Sequence, residues 1–174
     1  MTTKPRCSGT MTESAYLGWI RSALRSKSLR WKPRNDCILA ARRPYKGPNK
    51  LQKWEVNCSI CNGWFKLKET VVDHHPHAAG SILSVEDIGP FAERLFCEVS
   101  NLRCLCVFCH RVHTLASSKD ITWEEAVVEG EVNDIMRDKA KMLALLSASG
   151  YNGIAVSNAA KRKAVLTEIL TKEN

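Results

Sequence analysis

Hydrophobic residues recur with a helical period near the start of the chain, over residues 14–32. At about 100° per residue, apolar side chains fall on one face of this segment and basic side chains fall on the opposite face. The pattern predicts an amphipathic helix that ends at Pro33, because proline interrupts a helix. Its apolar face comprises Tyr16, Ile20, Ala23, Leu24 and Trp31, and its basic face comprises Arg21, Arg25 and Lys32.

The middle of the chain has shorter apolar runs with turn residues between them. Residues 34–53 predict a short helix followed by a basic linker, since the two prolines and the glycine of its second half are typical of turns. β-branched and aromatic residues predict short strands in the segment that follows. These elements are a strand at 54–56, a strand at 64–72 and a short helix or turn at 91–99.

The last third of the chain predicts helices. The segment Thr122–Glu125, TWEE, matches a capping box, in which the threonine and glutamate side chains accept hydrogen bonds from two backbone N–H groups. Residues 131–148 predict one long helix that ends at Gly150, and Ser157 is the predicted cap of a final helix. We expect these helices to pack against a core rather than to read DNA.

Together the elements predict an α+β fold in three parts. No run of about 18 apolar residues occurs, and the N-terminal segment lacks the apolar stretch of a secretory signal. We therefore expect a cytoplasmic protein without a membrane-spanning helix. The predicted parts are a basic helical arm and linker at 1–53, a core at 54–115 and a helical extension at 116–174.

The positive charge of the chain lies near its N-terminal end. The 174 residues have a formal net charge of +8, and residues 1–57 alone contain 13 basic and 3 acidic residues, a net charge of +10. Such an excess indicates a polyanion partner, most simply nucleic acid, although a solvated basic face is the alternative. The candidate DNA contacts are Arg21, Arg25, Lys32, Arg42 and Arg43.

Cysteine is frequent and occurs in pairs. Eight cysteines without a predicted secretory signal favour metal binding over a disulfide framework, with a redox thiol pair as the alternative. The two C-x-x-C pairs, CSIC and CVFC, can supply the four thiolates of a closed, structural zinc site. Cys97 and Cys104 are substitute ligands, and Cys7 and Cys37 are interpreted as plain thiols. The predicted zinc ligands are Cys58, Cys61, Cys106 and Cys109.

Residues suited to hydrolysis lie near these pairs in the sequence. Asp73 and His74 follow a β-branched stretch, Asn101 precedes the second cysteine pair by five residues, and His110 follows that pair directly. A carboxylate, an imidazole and an amide can together bind a hard divalent cation and activate water. The spacing therefore indicates a candidate catalytic centre beside the zinc site.

The combined motifs resemble those of the HNH endonucleases, whose zinc-bearing members have a ββα-metal core. The matching segments are CSIC, VVDHHPHAAGSIL and NLRCLCVFCHRVHT, and RSALRSKSLRWKPRND and FAERLFCEVSNL are similar to segments of small phage-encoded members. The resemblance covers about residues 18–115. It implies a DNA endonuclease with one catalytic Mg²⁺ or Mn²⁺ ion, 5′-phosphate and 3′-hydroxyl product ends, and a homing-type or packaging role.

The resemblance also implies roles for individual residues. His74 is implied as the general base, and Asp73 and His110 are implied as ligands of the catalytic ion. Asn101 is implied to hold the loop, orient the base or contact the metal. The four paired cysteines are implied as structural zinc ligands.

Two positions depart from the family pattern. His75, Pro76 and His77 follow the DH pair directly, where the family usually has an apolar residue, so His75 is an alternative base. The family often has lysine where this chain has His113. Because His113 shares a helix face with His110, it is predicted to join the catalytic ion or to face the phosphate backbone.

Two other functions are compatible with parts of this pattern. A non-catalytic zinc module that binds nucleic acid or a protein would keep the cysteines and the basic face but would not need Asp73 or His74. A thiol-redox protein would use the cysteines as a disulfide. A divalent-ion site that is separate from the zinc and weaker would distinguish the nuclease from the zinc module. The zinc content would distinguish the nuclease from the thiol-redox protein.

Overall fold

The computed structural model describes residues 3–75 and 80–173. Pro76 and His77 lie outside the described residues. Within those ranges the fold is mixed α+β, with small antiparallel sheets, which confirms the α+β prediction. None of the helices in those ranges combines the length and the apolar character needed to cross a membrane.

The chain divides into two compact units, Met1–Val107 and Phe108–Asn174. The predicted boundary after residue 53 lies inside the first unit, and the predicted boundary after residue 115 lies inside the second. In chain order the elements are α1 (Glu13–Ser28), α2 (Lys32–Ala41), β1 (Arg42–Pro44), β2 (Trp54–Asn57), β3 (Trp64–Phe65), β4 (Thr70–His74), α3 (Ile88–Leu95), β5 (Leu102–Cys106), α4 (Val107–Lys119), α5 (Trp123–Arg137), α6 (Lys139–Ala148) and α7 (Ala159–Glu173).

The predicted N-terminal helix is shorter than expected, and the short helix predicted after it begins at Lys32, so the predicted basic face does not lie on one helix. α1 ends at Ser28, and Pro33 lies in the first turn of α2. Proline suits that position because the N–H groups of the first turn have no acceptor within the helix. Lys32 therefore belongs to α2, whereas Arg21 and Arg25 share α1. Trp31 is the N-cap residue of α2, and its indole N–H donates to the Cys97 carbonyl at 2.9 Å.

The apolar face of α1 packs against α3. Leu17 is the buried residue of this face, and it contacts the buried Phe91 and Leu95 of α3. The other predicted apolar positions differ in burial, since Ala23 is exposed. The partly buried residues that complete the cluster from α1 are Tyr16, Ile20 and Leu24.

The predicted basic linker contains a strand. β1 pairs with β2, and β2 pairs with β3, all antiparallel. Arg42 and Arg43 are adjacent in β1, so their side chains point to opposite faces of this sheet. The Arg42 guanidinium lies 4.1 Å from the centroid of the Trp54 ring, and that of Arg43 lies 3.7 Å from the centroid of the Trp64 ring.

β4 and β5 form a separate antiparallel pair, and α4 begins at the next residue after β5. The β-branched Thr-Val-Val sequence at the start of β4 favours a strand. The register places Asp73 opposite Arg103 and His74 opposite Leu102. The buried residues that join this pair to α2 and β2 are Cys37, Val56, Val72 and Cys104.

The second unit is helical, as predicted, and its capping box is confirmed. Thr122 Oγ1 accepts from the Glu125 N–H, and Glu125 Oε2 accepts from the Thr122 N–H. The predicted single helix over 131–148 was wrong, because Asp138 separates α5 from α6. Asn158 Oδ1 accepts from the N–H of Lys161 in the first turn of α7, and the predicted cap residue, Ser157, directly precedes Asn158.

The core of the second unit is formed by apolar side chains of α5, α6 and α7. Gly150 has a φ of +80°, which suits the position after the end of α6 where the chain leaves the helix. Within α6, Met142 and Leu146 are buried, whereas Leu143 is exposed. The most buried members of the core are Val132, Ile135, Leu146 and Leu166.

Candidate metal centre

The four cysteines of the two C-x-x-C pairs form one cluster. Their sulfur atoms all lie within 4.8 Å of one another. Cys58 follows β2, Cys61 lies in the turn after it, Cys106 ends β5, and Cys109 lies in the first turn of α4. The predicted convergence is confirmed, and the set is compatible with a metal site.

The backbone shapes the first pair into a tight turn. The Cys58 N–H donates to the Gly63 carbonyl at 2.9 Å, and the Asn62 N–H donates to the Cys58 carbonyl at 2.8 Å. Asn62 takes the left-handed conformation, with a φ of +56°. The Ser59 N–H donates to the Cys104 carbonyl at 2.9 Å, so the turn is tied to β5, which carries Cys106.

Gly63 is needed for space rather than for an unusual backbone angle. A Cβ atom at this position would lie 2.7 Å from the Phe65 ring and 3.4 Å from Cys61 Sγ. The first distance is far below van der Waals contact. The glycine therefore lets Phe65 cover the turn beside the cysteine sulfurs.

Hydrogen bonding within the cluster favours the thiolate form of Cys58. Burial raises the pKa of the Cys58 thiol, but hydrogen bonds from the backbone of Cys61 and Cys106 outweigh it and lower the pKa to about 7. Cys58, Cys106 and Cys109 are buried, and Cys61 is exposed. Sulfurs bound to tetrahedral zinc at about 2.3 Å lie about 3.8 Å apart, so the cluster needs only a small contraction to hold zinc.

The substitute ligands lie outside the cluster. Cys104 Sγ lies 3.8 Å from Cys37 Sγ, and the contact with Cys37 together with burial raises the pKa of Cys104 far above its ordinary value. Cys104 therefore stays a protonated thiol. Cys97 Sγ is directed at the Asn101 carbonyl, 3.8 Å away. Among residues 3–75 and 80–173, no other three His, Cys, Asp or Glu side chains bring their ligand atoms this close together.

Asp73 is paired with a residue that the sequence did not single out. Its Oδ2 accepts from Arg103 Nη2 at 3.1 Å and from Arg103 Nε at 3.3 Å, and both side chains are largely buried. The two residues are direct cross-strand neighbours. Only the register of β4 against β5 reveals this pair, because 29 residues separate them in the chain.

His74 and His75 have different surroundings. His74 is half-buried, and its Nε2 lies 3.1 Å from the Leu95 carbonyl. A carbonyl can only accept, so this hydrogen bond requires the proton on Nε2 and makes Nδ1 the acceptor of the neutral ring. His75 is exposed, and its backbone N–H donates to the Asn101 carbonyl at 2.9 Å. Asn101 thereby ties the end of β4 to the start of β5.

His110 and His113 both lie on α4, one turn apart, and both are half-buried. His110 directly follows Cys109, so the cysteine cluster fixes the start of the helix that carries both histidines. The predicted catalytic ion has no ready set of three such ligands among the described residues. Mg²⁺ commonly takes one or two protein ligands and completes its shell with water and phosphate oxygens.

The candidate DNA contacts occupy several surfaces of the first unit. Arg21 and Arg25 are exposed on α1, and the Arg25 guanidinium lies 5.6 Å from the centroid of the Phe91 ring. Lys32 pairs with Asp36 at 2.5 Å on α2. Arg42 and Arg43 lie on opposite faces of β1. The basic face predicted from Arg21, Arg25 and Lys32 is therefore divided between α1 and α2.

Comparison with known proteins gives no family for this chain. No family model matches it, and no curated protein and no solved structure matches it significantly. The chemistry of the described residues is therefore the basis for assigning a function.

Proposed function

We propose that this chain is a metal-dependent DNA endonuclease of the HNH type, built on a structural zinc site. The observation that carries the proposal is the order of residues along β4, β5 and α4. Asp73 and His74 end the first strand, and Asn101 directly precedes its partner. The cysteine cluster then lies where β5 joins α4, and His110 comes next.

The four cysteines would hold the zinc. A closed set of four thiolates leaves no position for water or substrate, so the role of this ion is structural. Its contribution is to fasten the turn after β2 to the junction of β5 and α4. Because His110 is adjacent to Cys109, loss of the ion would also release the start of α4.

His74 is the proposed general base. The hydrogen bond from Nε2–H to the Leu95 carbonyl fixes the ring and leaves Nδ1 to accept a proton from water. The resulting hydroxide attacks the scissile phosphorus, and the bond from phosphorus to the 3′ oxygen breaks. The departing oxygen takes a proton from solvent, which gives 5′-phosphate and 3′-hydroxyl ends.

Asp73 and His110 are the proposed ligands of a catalytic Mg²⁺ or Mn²⁺ ion, with His113 as a further candidate. When bound, this ion supplies positive charge against the phosphate. Asp73 uses Oδ2 for Arg103, but a carboxylate has about four lone-pair directions, so the ion pair is compatible with metal binding. The backbone carbonyl of Asn101 accepts from the His75 N–H, a contact that any residue there could make, so the proposed role of its side chain rests on the resemblance.

DNA is the proposed partner, because the charge excess belongs to the first unit. Residues 1–107 include 17 basic and 9 acidic residues, whereas residues 108–174 include 9 of each. The proposed phosphate contacts are Arg21, Arg25, Lys32, Arg42 and Arg43. Of these, Arg21 and Arg25 are the pair that one helix presents together.

Plasmid cleavage tests the proposal. Zinc-loaded protein with Mg²⁺ or Mn²⁺ should nick or linearise supercoiled DNA, and His74→Ala should slow the reaction by about 100-fold or more because it loses the base. His75→Ala is the matched control, and we expect its rate within a few-fold of wild type. Zinc content and circular dichroism establish that both variants are folded. Equal cleavage by wild type and His74→Ala would contradict the assignment.

The second candidate is a non-catalytic zinc module that binds nucleic acid. The Asp73–Arg103 ion pair favours it, because a carboxylate committed to an arginine can have a purely structural role. Mn²⁺ titration of the zinc-loaded protein separates the two functions. A second, weaker site that is lost in Asp73→Asn supports the nuclease, and its absence in wild type supports the module.

A further inference from the structure

An open groove in the first unit lies beside the proposed catalytic residues. It has a volume of about 530 Å³ and is lined by residues of α2, β2, β3 and β5. Binding sites for small ligands usually measure about 300–1,000 Å³. The residues of this groove that carry distinctive chemistry are Asn57, Ser59, Trp64 and Arg103.

Trp64 is a fixed aromatic surface in this groove. Its side chain is 37% exposed. The Arg43 guanidinium lies over one face of the ring, 3.7 Å from its centroid, and is itself held by Glu55 Oε1 at 2.7 Å, with Glu55 buried. Asn57, opposite Trp64 in the register, donates from Nδ2 to the Asn62 carbonyl at 3.0 Å. The indole therefore stays in place without a ligand.

The groove also contains a guanidinium group that can contact a phosphate. This group belongs to Arg103, and none of the described residues that line the groove is an aspartate or a glutamate. The same Arg103 contacts Asp73, the proposed ligand of the catalytic ion. A phosphate near Arg103 would thus lie next to the residues proposed to cleave the backbone.

We propose that this groove binds an unpaired DNA nucleotide, with its base on Trp64 and its phosphate toward Arg103. An indole can stack only on a base whose face is accessible, and in B-form DNA neighbouring bases cover those faces. The role of this groove in DNA cleavage rests on the proposed function. The binding of a nucleotide in the groove does not require that the protein cleave DNA. This binding mode predicts a preference for single-stranded or locally opened DNA.

Fluorescence anisotropy without added Mg²⁺ or Mn²⁺ tests the groove independently of catalysis. The probes are labelled oligothymidylate of about 12 nucleotides, a duplex of the same length and oligouridylate. Trp64→Leu should weaken oligothymidylate binding at least about five-fold, because it removes the stacking surface. Duplex binding should change less than about two-fold. Trp64→Phe, which keeps a ring, should lose less than Trp64→Leu.

Trp54→Leu is the matched control. Trp54 lies in the same sheet, is 42% exposed and also carries a stacked arginine, but it occupies the opposite face. Equal losses in Trp54→Leu and Trp64→Leu, or equal losses for duplex and single strand, would overturn the proposal. So would tighter Trp64-dependent binding of oligouridylate than of oligothymidylate.

Photocrosslinking of the wild-type chain provides a second measurement that needs no substitution. Single-stranded DNA that contains 5-iododeoxyuridine should form an adduct at Trp64, located by mass spectrometry. An adduct at Trp54 in its place would overturn the assignment. Crosslinking at Trp64 in a protein that never cleaves DNA would leave the groove assigned and refute the nuclease.

Discussion

At the scale of single residues, the metal centre is shaped by backbone groups as much as by the cysteines. N–H groups of Cys61 and Cys106 point at the Cys58 sulfur and favour its thiolate form. Asn62 supplies the left-handed turn, and Gly63 supplies the space for Phe65. The C-x-x-C spacing predicts the ligands, but these supporting contacts follow from the folded turn.

Gly63→Ala should destabilise the protein and weaken its zinc affinity. The added methyl group would overlap the Phe65 ring, and overpacking of this kind costs about 1–3 kcal/mol. Gly18→Ala is the control, because a Cβ there meets no atom within 4 Å and alanine favours the interior of α1. Urea unfolding should show a loss for the first variant and a gain of up to about 1 kcal/mol for the second. A neutral Gly63→Ala would contradict the packing argument.

At the scale of elements, some predictions follow from local chemistry and others depend on contacts distant in sequence. The capping box and the C-x-x-C turns are confirmed because each is complete within four residues. Two helix limits were predicted wrongly: Pro33 lies in the first turn of α2 rather than at the end of α1, and Asp138, inside the predicted helix 131–148, is the N-cap of α6. The Asp73–Arg103 pair and the Trp64 groove depend on strand register, which spacing alone does not specify.

Asp138→Ala tests the division between α5 and α6. Asp138 Oδ1 accepts from the N–H groups of Ala140 and Lys141 at 3.1 and 3.0 Å, so its removal leaves the start of α6 uncapped. We expect a loss of about 1 kcal/mol in the free energy of unfolding. Asp138→Asn, which keeps an acceptor, should lose less. Equal losses of unfolding free energy in both variants would contradict the capping argument and would indicate that the negative charge of Asp138 stabilises the protein.

At the scale of the whole molecule, the separation of charge suggests a division of labour. The first unit carries the basic excess and the proposed cleavage residues other than those on α4. The second unit has balanced charge and an apolar core of its own. We therefore expect DNA affinity to depend on the first unit.

The salt dependence of duplex binding tests whether DNA affinity depends on the first unit. Each phosphate contact contributes about −0.9 to the slope of log affinity against log salt concentration. Arg21→Gln combined with Arg25→Gln should flatten the slope by up to about 1.8. Lys139→Gln combined with Lys141→Gln, in the charge-balanced unit, should leave it unchanged. An unchanged slope in the first variant would make the basic face of α1 a solvated surface.

Metal analysis of two matched variants tests the four-cysteine centre most directly. Cys104 and Cys106 are both buried in β5, two residues apart, but only Cys106 belongs to the cluster. We predict one zinc ion per chain in the wild type and in Cys104→Ala, and loss of zinc with unfolding of the first unit in Cys106→Ala. A wild-type protein that is fully folded without any transition metal, or a Cys106→Ala variant that keeps its zinc, would contradict the account.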